Sequence, residues 1–333
     1  MINENDFQKA LELISNSNNV LVTTHTRPDG DACGSVAALC EALAEMDKKA
    51  QPLMLSEIPQ WYEFLFDKKP AVLGDDITLE QLCEPDLIVI IDTNSYGQLP
   101  GFDEFLKQND KPVLIIDHHV TSDNLGNVEL IDASAAGAGL IVFDLFKYAG
   151  WTIGKQTAQA LFVTVATDTG WFQFDNTDAR AMRDCAELIE TGLKPTQIYK
   201  QLYQNYSVER FKLMTVMLNT IEMHFDGRYV TQYLRNADFA ATGAKFSDTE
   251  NLIDECRRIA GVEAAAFFVE LDNGKVKCSL RSQGDIDVRK IAQQFGGGGH
   301  TMASGATLPG PLEIAQKLIF DEIKKQFAEI DSK

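Results

Sequence analysis

The stretch NVLVTTHTRPDGDACGSVAALCEALAEM, residues 19–46, decides the fold. Asn19–Thr24 is apolar and β-branched at strand length, and the chain then turns through Pro28 and Gly30. From residue 32 to 48 the period changes. Val36, Leu39, Leu43 and Met46 recur at helical spacing, while Gly34, Ser35, Ala37 and Ala38 are small enough for close packing. A strand leading straight into an amphipathic helix is half of a βαβ unit, from which doubly wound parallel sheets are built.

The alternation continues outward from this unit. Apolar runs at 52–55, 86–91 and 112–116 read as further buried strands. Residues 157–167 fit helix or strand by periodicity alone, but their length and their Ala and Gln content favour a helix ending near Asp168, with Gly170 as a break. Residues 178–222 read as almost continuous helix, interrupted at Gly192 and Pro195, with no strand signal. A second unit begins near Gly227. Strands are expected there at 228–235, 262–271 and 275–282, the last two joined by the turn Asp272-Asn273-Gly274, with helices at 249–260, 287–295 and 311–328. The expected architecture is α/β: an N-terminal doubly wound, mostly parallel sheet (1–185), a helical connection (186–225) and a second, smaller α/β domain (226–333). A chain of 333 residues exceeds the size at which one core usually stops growing, roughly 250–300 residues.

Composition narrows the function. With 45% hydrophobic and 24% charged residues the chain is globular, and no apolar run approaches the roughly 18 residues that would span a bilayer. Residues 1–14 carry early acids and lack the basic start and apolar stretch of a secretory signal, so a cytoplasmic protein is expected. Six cysteines with no CxxC pair argue against a zinc cluster and a disulfide framework. Forty-nine acidic against 30 basic residues give a net charge of -19, which disfavours duplex nucleic acid and anionic membranes as partners.

Four places put acids or histidines directly after predicted buried segments, where an open α/β sheet collects its ligand-binding groups. These are His25, Asp29 and Asp31 in THTRPDGDACGS, Asp92 in IVIIDTNS, Asp117, His118 and His119 in LIIDHHVT, and Asp168 in VATDTGWF. One aspartate after a strand is commonly a turn or cap residue. Three apolar segments that each end in Asp point to a site instead. Asp92 follows a run too apolar to leave a carboxylate without a compensating cation. Oxygen-rich ligation with a few imidazoles suits Mn2+ first, with Mg2+ or Co2+ as alternatives. Two such ions would clamp a phosphate oxygen, and phosphate-ester hydrolysis is the chemistry that follows.

The spaced HxxPDxDxxGS, the strand-end Asp, the DHH triplet and the later TDTG together resemble the DHH phosphoesterase superfamily, over most of the chain. GGGGHTMASGAT, residues 296–307, is similar to the glycine-rich signature of the DHH-associated substrate-binding domain, which makes the chain look like the nanoRNase and pAp phosphatase branch. The resemblance implies that His25, Asp29 and Asp92 hold one ion and Asp31, Asp92, His118 and Asp168 the other, with Asp92 shared. It implies that His119 meets the substrate phosphate, that Asp117 supports it, and that no side chain is the nucleophile. Arg281, Gly297, Gly298, Gly299, His300 and Ser304 are the implied substrate contacts. Strand alternation puts Lys277, Ser279 and Arg281 on one face, and four glycines in a row let backbone N–H groups approach a phosphate closely. In one respect the chain departs from the pattern. Relatives commonly carry Ser, Thr and Glu near a helix start where this chain has Ala135-Ala136-Gly137-Ala138-Gly139-Leu140.

The expected activity is release of 5′-mononucleotides from very short RNA and dephosphorylation of 3′-phosphoadenosine 5′-phosphate (pAp), with substrate in the cleft between domains. One competing reading is hydrolysis of cyclic or linear dinucleotides such as cyclic di-AMP or pApA. Another is a non-catalytic nucleotide sensor that kept the fold. An inorganic pyrophosphatase is disfavoured because the second domain lacks a Ser-Arg-Lys cluster. A homodimer is left open.

Overall fold

The computed structural model describes residues 2–82, 84–299 and 301–332, and its contacts divide the chain into one unit running through Asn205 and another starting at Tyr206. In the first unit the order is α1 (Glu4–Ser15), β1 (Asn19–Thr24), α2 (Gly30–Glu45), β2 (Lys49–Met54), β3 (Ala71–Val72), β4 (Leu87–Ile91), α3 (Asp103–Gln108), β5 (Val113–Asp117), β6 (Val128–Ile131), α4 (Ala138–Ala149), α5 (Lys155–Asp168), α6 (Ala179–Glu190) and α7 (Pro195–Tyr203). The six strands are all parallel, in the order β3-β2-β1-β4-β5-β6. Alternation along each strand fills two cores. Val20, Val22, Val89, Ile91, Leu114 and Ile116 join the core that also holds α2, α4 and α5 residues. Leu21, Ile88, Ile90 and Ile115 join the core that holds Phe102 and Leu106.

Glycine sets how closely α2 approaches α5. A Cβ on Gly34 would lie 2.6 Å from the Ala160 carbonyl oxygen and 2.6 Å from Thr164 Cγ2, both on α5, and a Cβ on Gly139 would overlap the Thr164 hydroxyl. Gly34→Val is therefore expected to lower the free energy of unfolding by about 3 kcal/mol through overpacking, with urea denaturation as the measure.

The second unit contains α8 (Val208–Leu218), β7 (Glu222–His224), β8 (Tyr229–Leu234), α9 (Asn236–Thr242), β9 (Ala264–Glu270), β10 (Lys275–Ser282), α10 (Val288–Gln294), β11 (Gly298–Gly299), β12 (Ala303–Pro309) and α11 (Leu312–Asp331). Its sheet runs β11-β12-β10-β9-β8-β7, with β8 and β9 parallel and the other pairs antiparallel. Lys277, Ser279 and Arg281 do share one face of β10, while Val276, Cys278 and Leu280 are buried on the other. One expected helix is absent. Instead of an α-helix at 249–260 there are two 3-10 segments, Phe246–Thr249 and Leu252–Arg258, parted by Asn251 in the left-handed region at φ 59. An α-helix does not pass through such a residue. Among the described residues no helix is long and apolar enough to cross a membrane.

Candidate metal centre

In the first sheet the strand order reverses between β1 and β4, and an open parallel sheet forms its ligand crevice at the carboxyl ends of such a pair. His25 leaves β1 there and Asp92 leaves β4. Asp92 is 2% exposed and sits at φ 64, a conformation that costs a non-glycine residue about 1–3 kcal/mol and persists where its surroundings hold it. Its Oδ2 stands 3.3 Å from His25 Nε2, and its Oδ1 stands 3.3 Å from His118 Nε2 and 3.7 Å from His119 Nδ1. The two oxygens of one carboxylate thus face different imidazoles. Among the described residues, three trios have ligand atoms within 4.8 Å of one another: His25, Asp29 and Asp92; Asp31, His118 and Asp168; Asp92, His118 and His119.

Local chemistry orients each member. Asp29 is the N-cap of α2, its Oδ1 accepting the N–H groups of Asp31 and Ala32 at 3.0 and 3.1 Å, so a capping role and membership of the cluster coincide in one residue. Asp31, buried in the first turn of α2, accepts the N–H groups of Ala138 at 2.6 Å and Gly139 at 3.0 Å. These open α4, whose own cap residue Gly137 makes no side-chain bond, so Asp31 caps that helix from another element. The ring Nδ1 atoms of His25 and His118 meet the carbonyl oxygens of Thr26 (2.9 Å) and Ala135 (3.2 Å). Donation of Nδ1–H to these carbonyls turns each Nε2 toward the carboxylates, where it donates to Asp92 while the ring is protonated and offers a lone pair to a cation once the ring is neutral. Asp117 is fully buried, its Oδ1 accepting the His119 N–H at 3.2 Å and facing the ring Nδ1 at 2.8 Å. Asp168 ends α5, and Asn176 donates to its carbonyl and to its Oδ2, each at 3.1 Å. The next turn runs through Gly170, Trp171 and Phe172, all at positive φ, with the Trp171 ring packed edge-on against those of Tyr199 and Tyr203.

The electrostatics call for a cation. Burial and then the charge of Asp92 push the Asp31 carboxyl well above the carboxylate range. Burial, with Asp92 and Asp29 adding to it against His118, pushes Asp168 up to about 7. Burial would depress both imidazoles, but hydrogen bonding and the charge of the aspartates outweigh it and raise His25 to about 9 and His118 to about 11. Asp92 goes the other way: burial opposes its charge, yet the bonds from His118 and His25 hold it below its ordinary range. Asp92 Oδ1 and Asp117 Oδ2 are buried with no well-formed hydrogen bond among the described residues. A buried carboxylate whose two oxygens face the Nε2 atoms of His25 and His118, with Asp29, Asp31 and Asp168 close by, fits divalent cations that would replace the imidazole protons.

The profile of the DHH family N-terminal domain matches residues 19–167, and that of the DHHA1 domain matches residues 226–329. A bifunctional oligoribonuclease and PAP phosphatase NrnA from Thermus thermophilus is 30% identical over 313 residues, covering 92% of this chain and 90% of its own length. This chain belongs to the DHH family. The DHH chain is also 25% identical over 323 residues to the cyclic-di-AMP phosphodiesterase PdeA of Listeria monocytogenes, spanning 93% of itself and 47% of that protein. A crystal structure of an exopolyphosphatase-related protein from Bacteroides fragilis shares its fold at TM-score 0.93 and 24% identity, covering 98% of this chain and 97% of that one.

In the second unit of the DHH chain, Arg281 Nε pairs with Asp254 Oδ1 at 3.2 Å, an oxygen that Arg257 Nη1 also approaches at 3.3 Å. The glycine run has a packing reason. β11 pairs with β12 through Gly298 with Gly305 and Gly299 with Ser304, and a Cβ on Gly297 or Gly299 would collide with the β12 backbone. Ser304 is buried beside Gly299 and Leu280, and His300 lies outside the described residues. The sequence reading missed Asn176 and the backbone donors of Ala138 and Gly139. Only the run of small residues at 135–139, itself a departure from the family pattern, marks the place where Asp31 is received.

Proposed function

We propose that the chain is a two-metal phosphoesterase that releases 5′-mononucleotides from short oligoribonucleotides and removes phosphate from pAp. The observation that carries this reading is Asp92, which offers one oxygen to His25 and the other toward His118. His25, Asp29 and Asp92 would hold one ion, and Asp31, Asp92, His118 and Asp168 the other. The donor set of four carboxylates and two imidazoles favours Mn2+, with Mg2+ or Co2+ as substitutes. When bound, the ions supply Lewis-acid stabilisation of the phosphoryl oxygens.

The remaining work falls to the chain itself. Asp117 holds the His119 ring by Nδ1 and, together with the charge of Asp92 and against the effect of burial, raises its pKa, which favours the form that donates to a phosphate oxygen through Nε2. Arg281, Gly297, Gly298, Gly299, Ser304 and His300 are assigned to the substrate's nucleoside or second phosphate. A net charge of -19 suits a di- or trinucleotide, which feels mainly the local site, better than a long polyanion.

A substrate panel tests the proposal: labelled di- to heptanucleotides, pAp and cyclic di-AMP, each with purified protein and Mn2+. Mononucleotide and phosphate release from the first two is expected. Turnover confined to cyclic di-AMP would favour the alternative suggested by the likeness to PdeA, and binding without turnover would favour a sensor.

A further inference from the structure

The loop between β6 and α4 does two jobs at the metal centre, and neither is done by a ligand. The Ala135 carbonyl faces His118 Nδ1, and the N–H groups of Ala138 and Gly139 grip the Asp31 carboxylate. Whatever fixes this loop fixes two members of the trio Asp31, His118 and Asp168.

Asp132 fixes its start. Its backbone N–H bonds the Asp117 carbonyl at 3.1 Å, its own carbonyl accepts the Ala135 N–H at 3.0 Å, and its Oδ1 accepts both the N–H (3.1 Å) and the hydroxyl (2.6 Å) of Ser134. The other oxygen, Oδ2, accepts Arg180 Nη1 at 2.8 Å. Arg180 stands on α6, and its second amino group, Nη2, bonds Asp144 of α4. One guanidinium therefore ties the loop's first residue to the helix that the loop opens, a span that needs a planar fork with several donors. Lys147 extends the network to Asp184 and Asp144, at 2.9 and 3.2 Å, without touching Asp132.

We infer that Arg180, acting through Asp132, is a positioning residue for the ion site formed by Asp31, His118 and Asp168. This rests on the two-ion reading of the centre. It gives Arg180 no contact with metal or substrate. Its removal loosens the loop, so that Ala135 ceases to hold the His118 ring and α4 ceases to hold Asp31, while His25, Asp29 and Asp92 keep their geometry.

The test is Mn2+ binding to the full chain, by titration calorimetry and electron paramagnetic resonance, with thermal unfolding recorded for every variant. Arg180→Ala is expected to weaken one of two Mn2+ sites by about 10- to 100-fold, as supporting partners of metal ligands do, and to leave the other unchanged. Lys147→Ala, which cuts the same network away from the loop, is expected to lose stability with both sites intact. Should Arg180→Ala not fold, Ser134→Ala removes only the hydroxyl bond to Asp132 and is expected to weaken the same site by less. Equal affinities in the parent and in a folded Arg180→Ala or Ser134→Ala variant would overturn the inference, as would the same loss in Lys147→Ala. A parent that binds two ions but hydrolyses no phosphoester sinks the proposed function and leaves this assignment standing. A parent that binds no pair of ions overturns both.

Discussion

Asp92→Asn is expected to reduce phosphate release from pAp by about 10^2- to 10^3-fold, the scale seen when a preorganised charge-stabilising group is removed from an active site. The variant suits the question. Asn tolerates the left-handed conformation that Asp92 adopts at φ 64, whereas Ala there would add backbone strain to the loss of charge. Every trio that includes Asp92 loses a negative ligand, and the carboxylate cannot be replaced from nearby because Asp29 and Asp31 are committed to helix starts. Folding is expected to survive with some loss of stability, since the pairing with His25 and His118 that is given up is offset in part by relief of the repulsion on Asp29 and Asp31. A folded Asp92→Asn protein with near-parent turnover would sink the two-metal reading.

The second large effect is on stability. His25 and His118 bind protons more tightly in the folded, chelated chain than in the unfolded one, since their values rise from 6.5 to about 9 and about 11. Their contribution is fully present below pH 6.5 and is lost as pH rises through those values. Asp168 has the same sign. Raised from 3.8 to about 7, it holds a proton that the unfolded chain has released, so stability falls as pH climbs across that window. Asp92 has the opposite sign, with a contribution present above pH 3.8 and lost in stronger acid. Between pH 5 and 9 the first three dominate, and the Tm of chelated protein is expected to fall.

Mn2+ should reverse the trend, because it replaces those protons and binds only the deprotonated ligands. At about 100 times its Kd an ion adds about 2.7 kcal/mol per site, and each kcal/mol raises Tm by about 2–4 °C in a domain of this size. The rise on adding Mn2+ is expected to be several degrees larger at pH 8.5 than at pH 6. Calorimetry in buffers of different ionisation enthalpy should register protons released on binding. A Tm shift independent of pH, with no proton release, would contradict this account of the cluster.

Much of the architecture was legible in the residues, because burial acts locally. β1, β4 and β5 lie almost where apolar runs placed them, α2 follows the spacing of Val36, Leu39 and Leu43, and α5 ends at Asp168. The acids at these ends stand out because a carboxylate after five buried apolar residues demands a reason. Less was legible where the signal is weak or split. β3 has two residues and β7 three, α4 begins in a run of Ala and Gly, and the left-handed Asn251 breaks a helical pattern that the sequence carries without interruption.

By itself, then, the sequence determined the alternating elements, the residues at the strand ends and the hard-ligand character of the centre, since each depends on chemistry within a few residues. Only the tertiary structure decided that β1 lies beside β4, which brings Asp92 between His25 and His118. It also decided that Asp31 is gripped by backbone N–H groups of Ala138 and Gly139, and that Arg180 reaches Asp132 across 48 positions. Strand order follows from crossovers between distant segments. A backbone donor is the same group in every non-proline residue, so no residue type announces the place where a carboxylate will be received.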